Sequence, residues 1–364
     1  MPQRQGIATV SPTWNLRPPL PLHRPINILW FFFLALLVQG GALLPLSEAQ
    51  AGDRLVVYSG RAEKLIKPVL DVFQAKSGIQ IDLLSSGTTE LVNRLQAEAD
   101  RTPADLFLTN DAGSLERART LGLLRPFESK LLEASIPAAY RAQDNSWIGL
   151  SGRLWVVVYN TTLAKPDDLH SLLDLADPRW KGKIAIPHAG SEYLQAGVSV
   201  LQVSQGNDRT LHFLQGLKAN AGTNVFQKSS QIVEAVAKGQ LTFGIVNHYY
   251  IYRYLAAQPT APIAPLLLDQ HPGGMGSIMN TTGIGIIKST KHLDDARRLI
   301  EFLISPEGQK LFADLDKEFP LHPQVAADPA LPARDSFRVT SVPLTKLGEL
   351  REPAMTLIEQ AGLR

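Results

Sequence analysis

Four of the eight tyrosines of this chain fall within one six-residue stretch, at Tyr249, Tyr250, Tyr252 and Tyr254. Tyr252 and Tyr254 fit the face of a helix that packs on a sheet. Tyr249 and Tyr250 fit that role less well, because adjacent residues at a strand–helix junction point in different directions. A phenolate is a hard oxygen donor with an unperturbed pKa of about 10. A highly charged cation must therefore stand beside it to hold it deprotonated near neutral pH. Ferric iron is such a cation. Zinc would call for histidine or cysteine, and calcium for carboxylates. The sequence has no closely spaced histidine pair and no Asp-x-Asp-x-Asp loop.

The elements that must position the pair are short apolar strands alternating with helical periods. Leu55 to Tyr58, Ile79 to Leu84, Leu106 to Leu108, Trp155 to Tyr159, Ile184 to Ile186, Leu241 to Val246 and Ile284 to Ile287 read as strands. Glu63 to Lys76 carries Leu65, Ile66, Val69, Leu70 and Phe73 on one helical face, with Pro68 unusually deep in it. A second helix carries Leu91, Val92 and Leu95, another Ala296, Leu299, Ile300 and Leu303, and a C-terminal one spans Thr345 to Ala361. Ala326 to Pro332 reads as a loop. The alternation predicts an α/β fold of mostly parallel sheets with helices on both faces. At roughly 150 residues per domain, 364 residues make about two domains.

In such folds ligands bind beyond the carboxyl ends of strands. Five strand exits carry polar clusters: Ser59-Gly60-Arg61, Ser85-Ser86-Gly87, Thr109-Asn110-Asp111, His188 to Tyr193, and Asn247 to Tyr250. Glycines there let backbone N–H groups approach an anion, and each following helix adds its positive end. Enzyme templates are missing: no G-x-S-x-G, no H-E-x-x-H and no G-x-x-x-x-G-K-[ST]. His188 and His248 have no partnered nucleophile and read as surface or capping residues. No catalytic residue is assigned.

Composition narrows the setting. The chain has no cysteine, which excludes disulfides, thiolate metal sites and a cysteine-linked lipid anchor. Arg4, Arg17 and Arg24 precede the apolar run Ile28 to Val38, which leads to Ala49-Gln50-Ala51. That is the order of a cleaved export signal over residues 1–51. A run this short does not span a bilayer, and a retained anchor over Ile28 to Leu46 is the alternative. The formal charge of +2 disappears with those three arginines and Glu48. A neutral mature chain points away from nucleic acid as a partner. The expected location is the periplasm.

At this point the motifs resemble a known family, the ferric-iron-binding periplasmic proteins of bacterial ABC importers. They are Val57-Tyr58-Ser59-Gly60-Arg61, Pro103-Ala104-Asp105-Leu106-Phe107, Leu150-Ser151-Gly152-Arg153, Val156-Val157-Val158-Tyr159, Pro178-Arg179-Trp180-Lys181-Gly182-Lys183-Ile184, Asn247-His248-Tyr249-Tyr250 and Ser305-Pro306-Glu307-Gly308-Gln309. Their order holds over nearly the whole chain after the signal, and the tyrosine pair is the most specific of them. The resemblance implies a type II periplasmic-binding-protein fold of two lobes, 52–153 with 280–330 and 154–279 with 331–364, and Fe(III) held in the cleft between them. It implies Tyr249 and Tyr250 as metal ligands, and Tyr193 as an additional tyrosine ligand of one branch. Other branches place a histidine and a glutamate where this chain has Ala62 and Asn110, so that pair is absent. Glu192 competes with Tyr193 as a hard oxygen donor. A synergistic anion such as carbonate would complete the shell, with Arg61 and Arg153 offering planar forks of donors to it. Ser191 and Asn247 are candidates to support the ligands from behind.

The function so implied is a monomeric solute-binding protein that captures Fe(III), performs no bond chemistry and delivers its cargo to an ABC permease. Two rivals remain at this stage: the same fold carrying an organic cation such as thiamine or a polyamine, and an exported hydrolase.

Overall fold

A computed structural model describes residues 54–363. The expected export signal lies outside the described residues. Eleven strands, β1 (Arg54–Ser59), β2 (Gln80–Ser85), β3 (Leu106–Thr109), β4 (Leu124–Arg125), β5 (Ile148–Asn160), β6 (Ile184–Pro187), β7 (Val225–Phe226), β8 (Phe243–Asn247), β9 (Ile263–Leu266), β10 (Ile278–Ile287) and β11 (Phe319–Pro320), join in one sheet. Its path runs β2-β1-β3-β10-β5-β8-β6-β7, with β4 on β10 and both β9 and β11 on β5. The helices are α1 (Glu63–Ser77), α2 (Thr88–Glu98), α3 (Ala112–Thr120), α4 (Leu132–Ser135), α5 (Glu192–Gln205), α6 (Asn207–Ala221), α7 (Ser229–Ala237), α8 (His248–Ala257), α9 (Leu293–Ile304), α10 (Pro306–Asp316) and α11 (Lys346–Gln360). None of the described helices is long and apolar enough to cross a membrane.

Strand period two divides the core into two layers. On β1, Leu55 and Val57 face one layer and Tyr58 the other; on β3, Leu106 and Leu108 part from Phe107 in the same way. One layer takes the apolar stripes of α1, α7, α8, α9 and α10, and the other those of α2, α3, α5, α6 and α11. Pro68 sits inside α1 on its exposed side, where water can satisfy the carbonyl that the missing N–H leaves free.

The expected parallel pairing holds at the two flanks. β1 pairs in parallel with β2 and β3, and β6 in parallel with β7 and β8. The centre is antiparallel, which the sequence reading did not foresee. There β10 pairs with β3 and β5, and β5 with β8. Both central strands are longer than their apolar runs. β5 has 13 residues and β10 has 10, each carrying a polar middle. The register sets Arg153 opposite Asn280, Gly152 opposite Thr281 and Ser151 opposite Thr282, with an irregularity after Thr282. All six residues of that register are buried, and Ser151, Arg153 and Asn280 interrupt the apolar runs. These middles lie where the two parallel flanks meet.

Candidate functional site

Parallel strands deliver their carboxyl ends, and the next helices their amino ends, to one edge. Here four helix N-termini and the two central strands enclose a cavity of about 280 Å³. The first flank contributes Gly60, Gly87, Thr88, Asn110 and Asp111. The second contributes His188, Gly190, Ser191, Glu192 and Tyr193 from the turn into α5, and Asn247, Tyr249 and Tyr250 from the turn into α8. Arg153 and Asn280 come from the strand middles.

The expected ligands therefore line one space. Tyr249 is buried at 3% exposure and Tyr250 partly buried; their ring centroids are 4.4 Å apart, tilted by 32°. Burial, then the neighbouring Tyr250, pushes the Tyr249 hydroxyl well above its ordinary pKa, while Arg153 and Arg61 pull it down. Tyr193 stands in the first turn of α5. Its oxygen accepts a hydrogen bond from Ser229 Oγ at 3.0 Å and lies 3.5 Å from the Ile245 carbonyl. Burial raises its pKa; the hydroxyls of Ser229 and Ser191 oppose that by donating to the ionised form. Ser191 and Asn247 are the buried N-cap residues of α5 and α8, and neither side chain bonds its own helix. Tyr252 and Tyr254 pack on the core, as helical spacing predicts.

The two arginines differ. Arg61 does not line the cavity. Its Nη1 donates to Glu318 at 2.9 Å, Asn110 at 3.0 Å and Thr282 at 3.0 Å, and its Nη2 to Asp316 at 2.8 Å. Both carboxylates are as buried as the guanidinium. Both Nη atoms are taken by these partners, and the Nε, though unpartnered, is buried away from the cavity lining, which sets Arg61 in a structural ion pair rather than in the expected anion-binding role. Its two carboxylate partners lie more than 250 positions away in sequence, so no local pattern announces them. Burial pushes Asp316 up to about 6 against the pull of Arg61, whereas Arg61, Arg153 and Ser151 hold Glu318 below the usual carboxylate range despite its burial. Arg153 is 4% exposed, lines the cavity, and leaves its Nε without a partner. A buried, unsatisfied guanidinium at the rim of a cavity is chemically suited to an anion.

Asp111 faces the cavity but is consumed by its own flank. It accepts from Gly113 N, Ser114 N, Ser114 Oγ and Asn280 Nδ2 at 2.7–3.2 Å, capping α3. Asn280, unnoticed in the sequence because it lies inside a strand, thus locks the first flank to β10. Glu192 enters from the second flank. Burial and then Asp111 push its pKa up, while the Thr88 hydroxyl, Arg351 and Arg153 pull it down. Arg351, also missed, belongs to α11. It donates to Ser114 Oγ at 2.9 Å and Thr89 Oγ1 at 2.8 Å.

His248 is neither a surface residue nor a base in the cavity. It is 1% exposed, stacks on Phe319 at 4.9 Å, and its Nδ1 accepts the Leu154 N–H at 3.1 Å. Burial pushes its pKa down to about 4. Ala62 precedes α1 and stays outside the cavity, and Asn110 is engaged by Arg61. Among the described residues no cluster of three or more histidine, cysteine or acidic side chains could hold a metal ion. The donors that remain on the lining are the three phenols, with the Glu192 carboxyl and the His188 imidazole beside them, and hard oxygens around an unspent cationic side chain fit a small, highly charged cation together with an anion.

Residues 69–337 match the family described as bacterial extracellular solute-binding protein. The chain is 30% identical over 310 residues to the iron uptake protein A1 of Synechocystis, covering 84% of this chain and 86% of that one. A solved Trichodesmium structure in complex with iron and citrate ligands superposes with a TM-score of 0.76 at 29% identity, covering 85% of this chain and all of that one. The ferric binding protein from Campylobacter jejuni superposes with a TM-score of 0.80 at 28% identity, over 85% of this chain and all of that one.

Proposed function

The chain belongs to the bacterial extracellular solute-binding protein family, and on that premise we propose that it captures Fe(III) outside the cytoplasm and delivers it to an ABC permease. The observation that carries this reading is the convergence of Tyr193, Tyr249 and Tyr250 on one cavity beside the unsatisfied Arg153. Three phenolates would balance the three charges of ferric iron, and the Arg153 guanidinium would seat a synergistic anion. Carbonate fits, and so does citrate, which accompanies iron in the Trichodesmium structure.

Capture on this reading is proton exchange without bond chemistry on the cargo. The phenols of Tyr193 and Tyr249 are held protonated by burial until a cation replaces their protons. The flanks act as two lobes whose boundaries fall in mid-strand, near Arg153 on β5 and Asn280 on β10. Closing them around the metal is the working motion, and the closed monomer is what a permease would recognise. Residues 1–51 would direct export and be removed. An organic cation is disfavoured because the cavity's two carboxylates are not free: Asp111 is spent on its cap, and Glu192 faces Arg153 and Arg351.

The test is a visible spectrum of the exported protein titrated with ferric citrate. A phenolate-to-iron charge-transfer band that saturates at one iron per chain is the expected result. A colourless protein that leaves iron in solution would overturn the reading.

A further inference from the structure

The cavity wall holds one imidazole, and nothing so far gives it work. We propose that His188 donates a ring nitrogen to the metal as a fourth protein ligand beside the three tyrosines; this rests on the ferric reading above.

His188 is the first residue after β6, and it lines the same cavity as Tyr193, Tyr249 and Tyr250. Its placement follows from the sheet. β6 runs parallel to β8 with Ile184 beside Phe243 and Ala185 beside Gly244. Continuing that register brings His188 level with Asn247, the residue that opens the turn into Tyr249 and Tyr250. The backbone is pinned on both sides. His188 N donates to the Phe226 carbonyl at 3.1 Å, and the His188 carbonyl accepts from Ser191 N at 3.0 Å. That tight turn sets His188 and Tyr193 at one mouth. Gly190 folds back over the imidazole so closely that a Cβ there would lie 3.1 Å from His188 Nδ1 and Cε1. The imidazole thus lies against the Gly190 backbone, and its nitrogens make no hydrogen bond to the described residues. Among the other described histidines, His248 packs edge-on against Tyr249, but its Nδ1 is taken by Leu154 and its Nε2, though without a partner, does not line the cavity.

Charge supports a neutral fourth donor. Three phenolates already match ferric iron, so a carboxylate from Glu192 would leave the site with excess negative charge before any anion bound. Imidazole adds a strong donor without charge and suits iron. It also comes from the same flank as the tyrosines, so all four donors are in place without a ligand from the first flank, where Ala62 and Asn110 offer none.

The experiment uses the exported protein loaded with ferric citrate. Electron spin-echo modulation is measured on natural-abundance and ¹⁵N-histidine-labelled samples, for wild type and His188→Gln. The expected result is a directly bound nitrogen coupling that changes isotope with the label and disappears in His188→Gln. In that variant the phenolate band should persist but shift, with iron affinity lowered at least about tenfold, as for a displaced metal-site partner. Gly190→Ala, which crowds the ring without removing it, should weaken the coupling. A phenolate band with no histidine nitrogen coupling in wild type would overturn the assignment of His188 and leave the ferric reading standing. So would a coupling that survives His188→Gln. Absence of any phenolate band in wild type would remove the ferric reading, and this inference with it.

Discussion

The two walls of the cavity are built from the same parts and are not equivalent. Each is a parallel flank whose strand exits feed helix N-termini. On the first wall the polar groups are already spent. Asp111 caps α3 and binds Asn280, Asn110 accepts from Arg61, and Thr88 meets Thr109 at 3.1 Å. Gly60 is so tightly placed that a Cβ would collide with Thr88 Oγ1 at 2.1 Å. On the second wall the donors are held but not used up: Tyr249 and Tyr250 make no hydrogen bond to the described residues, and Tyr193 keeps the seryl hydroxyls of Ser229 and Ser191 and a long contact with Ile245. The same architecture has been used once to make a rigid surface and once to make a ligand set. Metal affinity should therefore reside on the second wall, and stability on the first.

The largest effect that would separate the walls is that of pH. Burial raises the pKa of the Tyr193 and Tyr249 hydroxyls, so both are protonated in the empty site and must lose protons to bind iron. Affinity should fall as pH falls, by up to about tenfold per pH unit for each proton released. Proton release measured by weakly buffered titration gives the number directly. Iron binding with no proton uptake or release would remove the phenolates from the site.

Next comes removal of the donors. Tyr249→Phe and Tyr250→Phe should each cost more than about 100-fold in iron affinity, beyond the loss typical of groups that merely orient a ligand. Both keep the ring and so the fold. Tyr193→Phe should lower affinity and shift the band more than Glu192→Gln does. Thr88→Val on the opposite wall should change affinity little. Equal losses on both walls would break the comparison.

Much of this site was legible beforehand, and what was not shares a cause. The strand exits and the tyrosine pair stand out because apolar runs end abruptly in polar residues there. The polar stretches Ser151-Gly152-Arg153 of β5 and Asn280-Thr281-Thr282 of β10 do not read as strand, because polar residues, Arg153 and Asn280 at the cavity among them, interrupt the apolar pattern that marks one, although Ser151-Gly152-Arg153 stands out as a motif. Hence the antiparallel centre of the sheet was missed while its parallel flanks were foreseen. Arg61 was misjudged for a different reason. Its partners Asp316 and Glu318 are distant in sequence, and only folding brings them together. His188 reads as a surface or capping residue and is partly exposed; that it also lines the cavity is something nothing in its neighbours announces.

Arg61 gives the third effect. Arg61→Met would leave Glu318 buried without its ion-pair partner and Asp316 with only the longer contact to Arg253 at 3.5 Å. Breaking a buried pair from one side typically costs about 3–5 kcal/mol, so thermal or denaturant unfolding should show a loss of that order. Iron bound by the folded fraction should be retained. A variant with unchanged stability and lost anion dependence would restore Arg61 to the binding site.

Arg153 should give the smallest effect and the sharpest contrast with Arg61. It is buried to nearly the same degree and, like Arg61, leaves its Nε without a partner, yet it has no carboxylate within ion-pair distance among the described residues, and it lines the cavity. Removing it therefore strands no partner as Arg61→Met would. Arg153→Met should leave stability unchanged or slightly raised, because an unpaired charge is costly to bury. Iron affinity should fall by about tenfold, on the scale of one lost charge-assisted hydrogen bond at a fork. The diagnostic is the anion. Wild-type affinity should rise with added carbonate or citrate, and that rise should flatten in Arg153→Met. Lysine at 153 keeps the charge but not the planar fork, so it should recover part of the affinity for either anion. If Arg153→Met unfolds the protein, or if its iron affinity keeps the full anion dependence of wild type, the two arginines are not divided between stability and binding, and the anion lies elsewhere in the cavity.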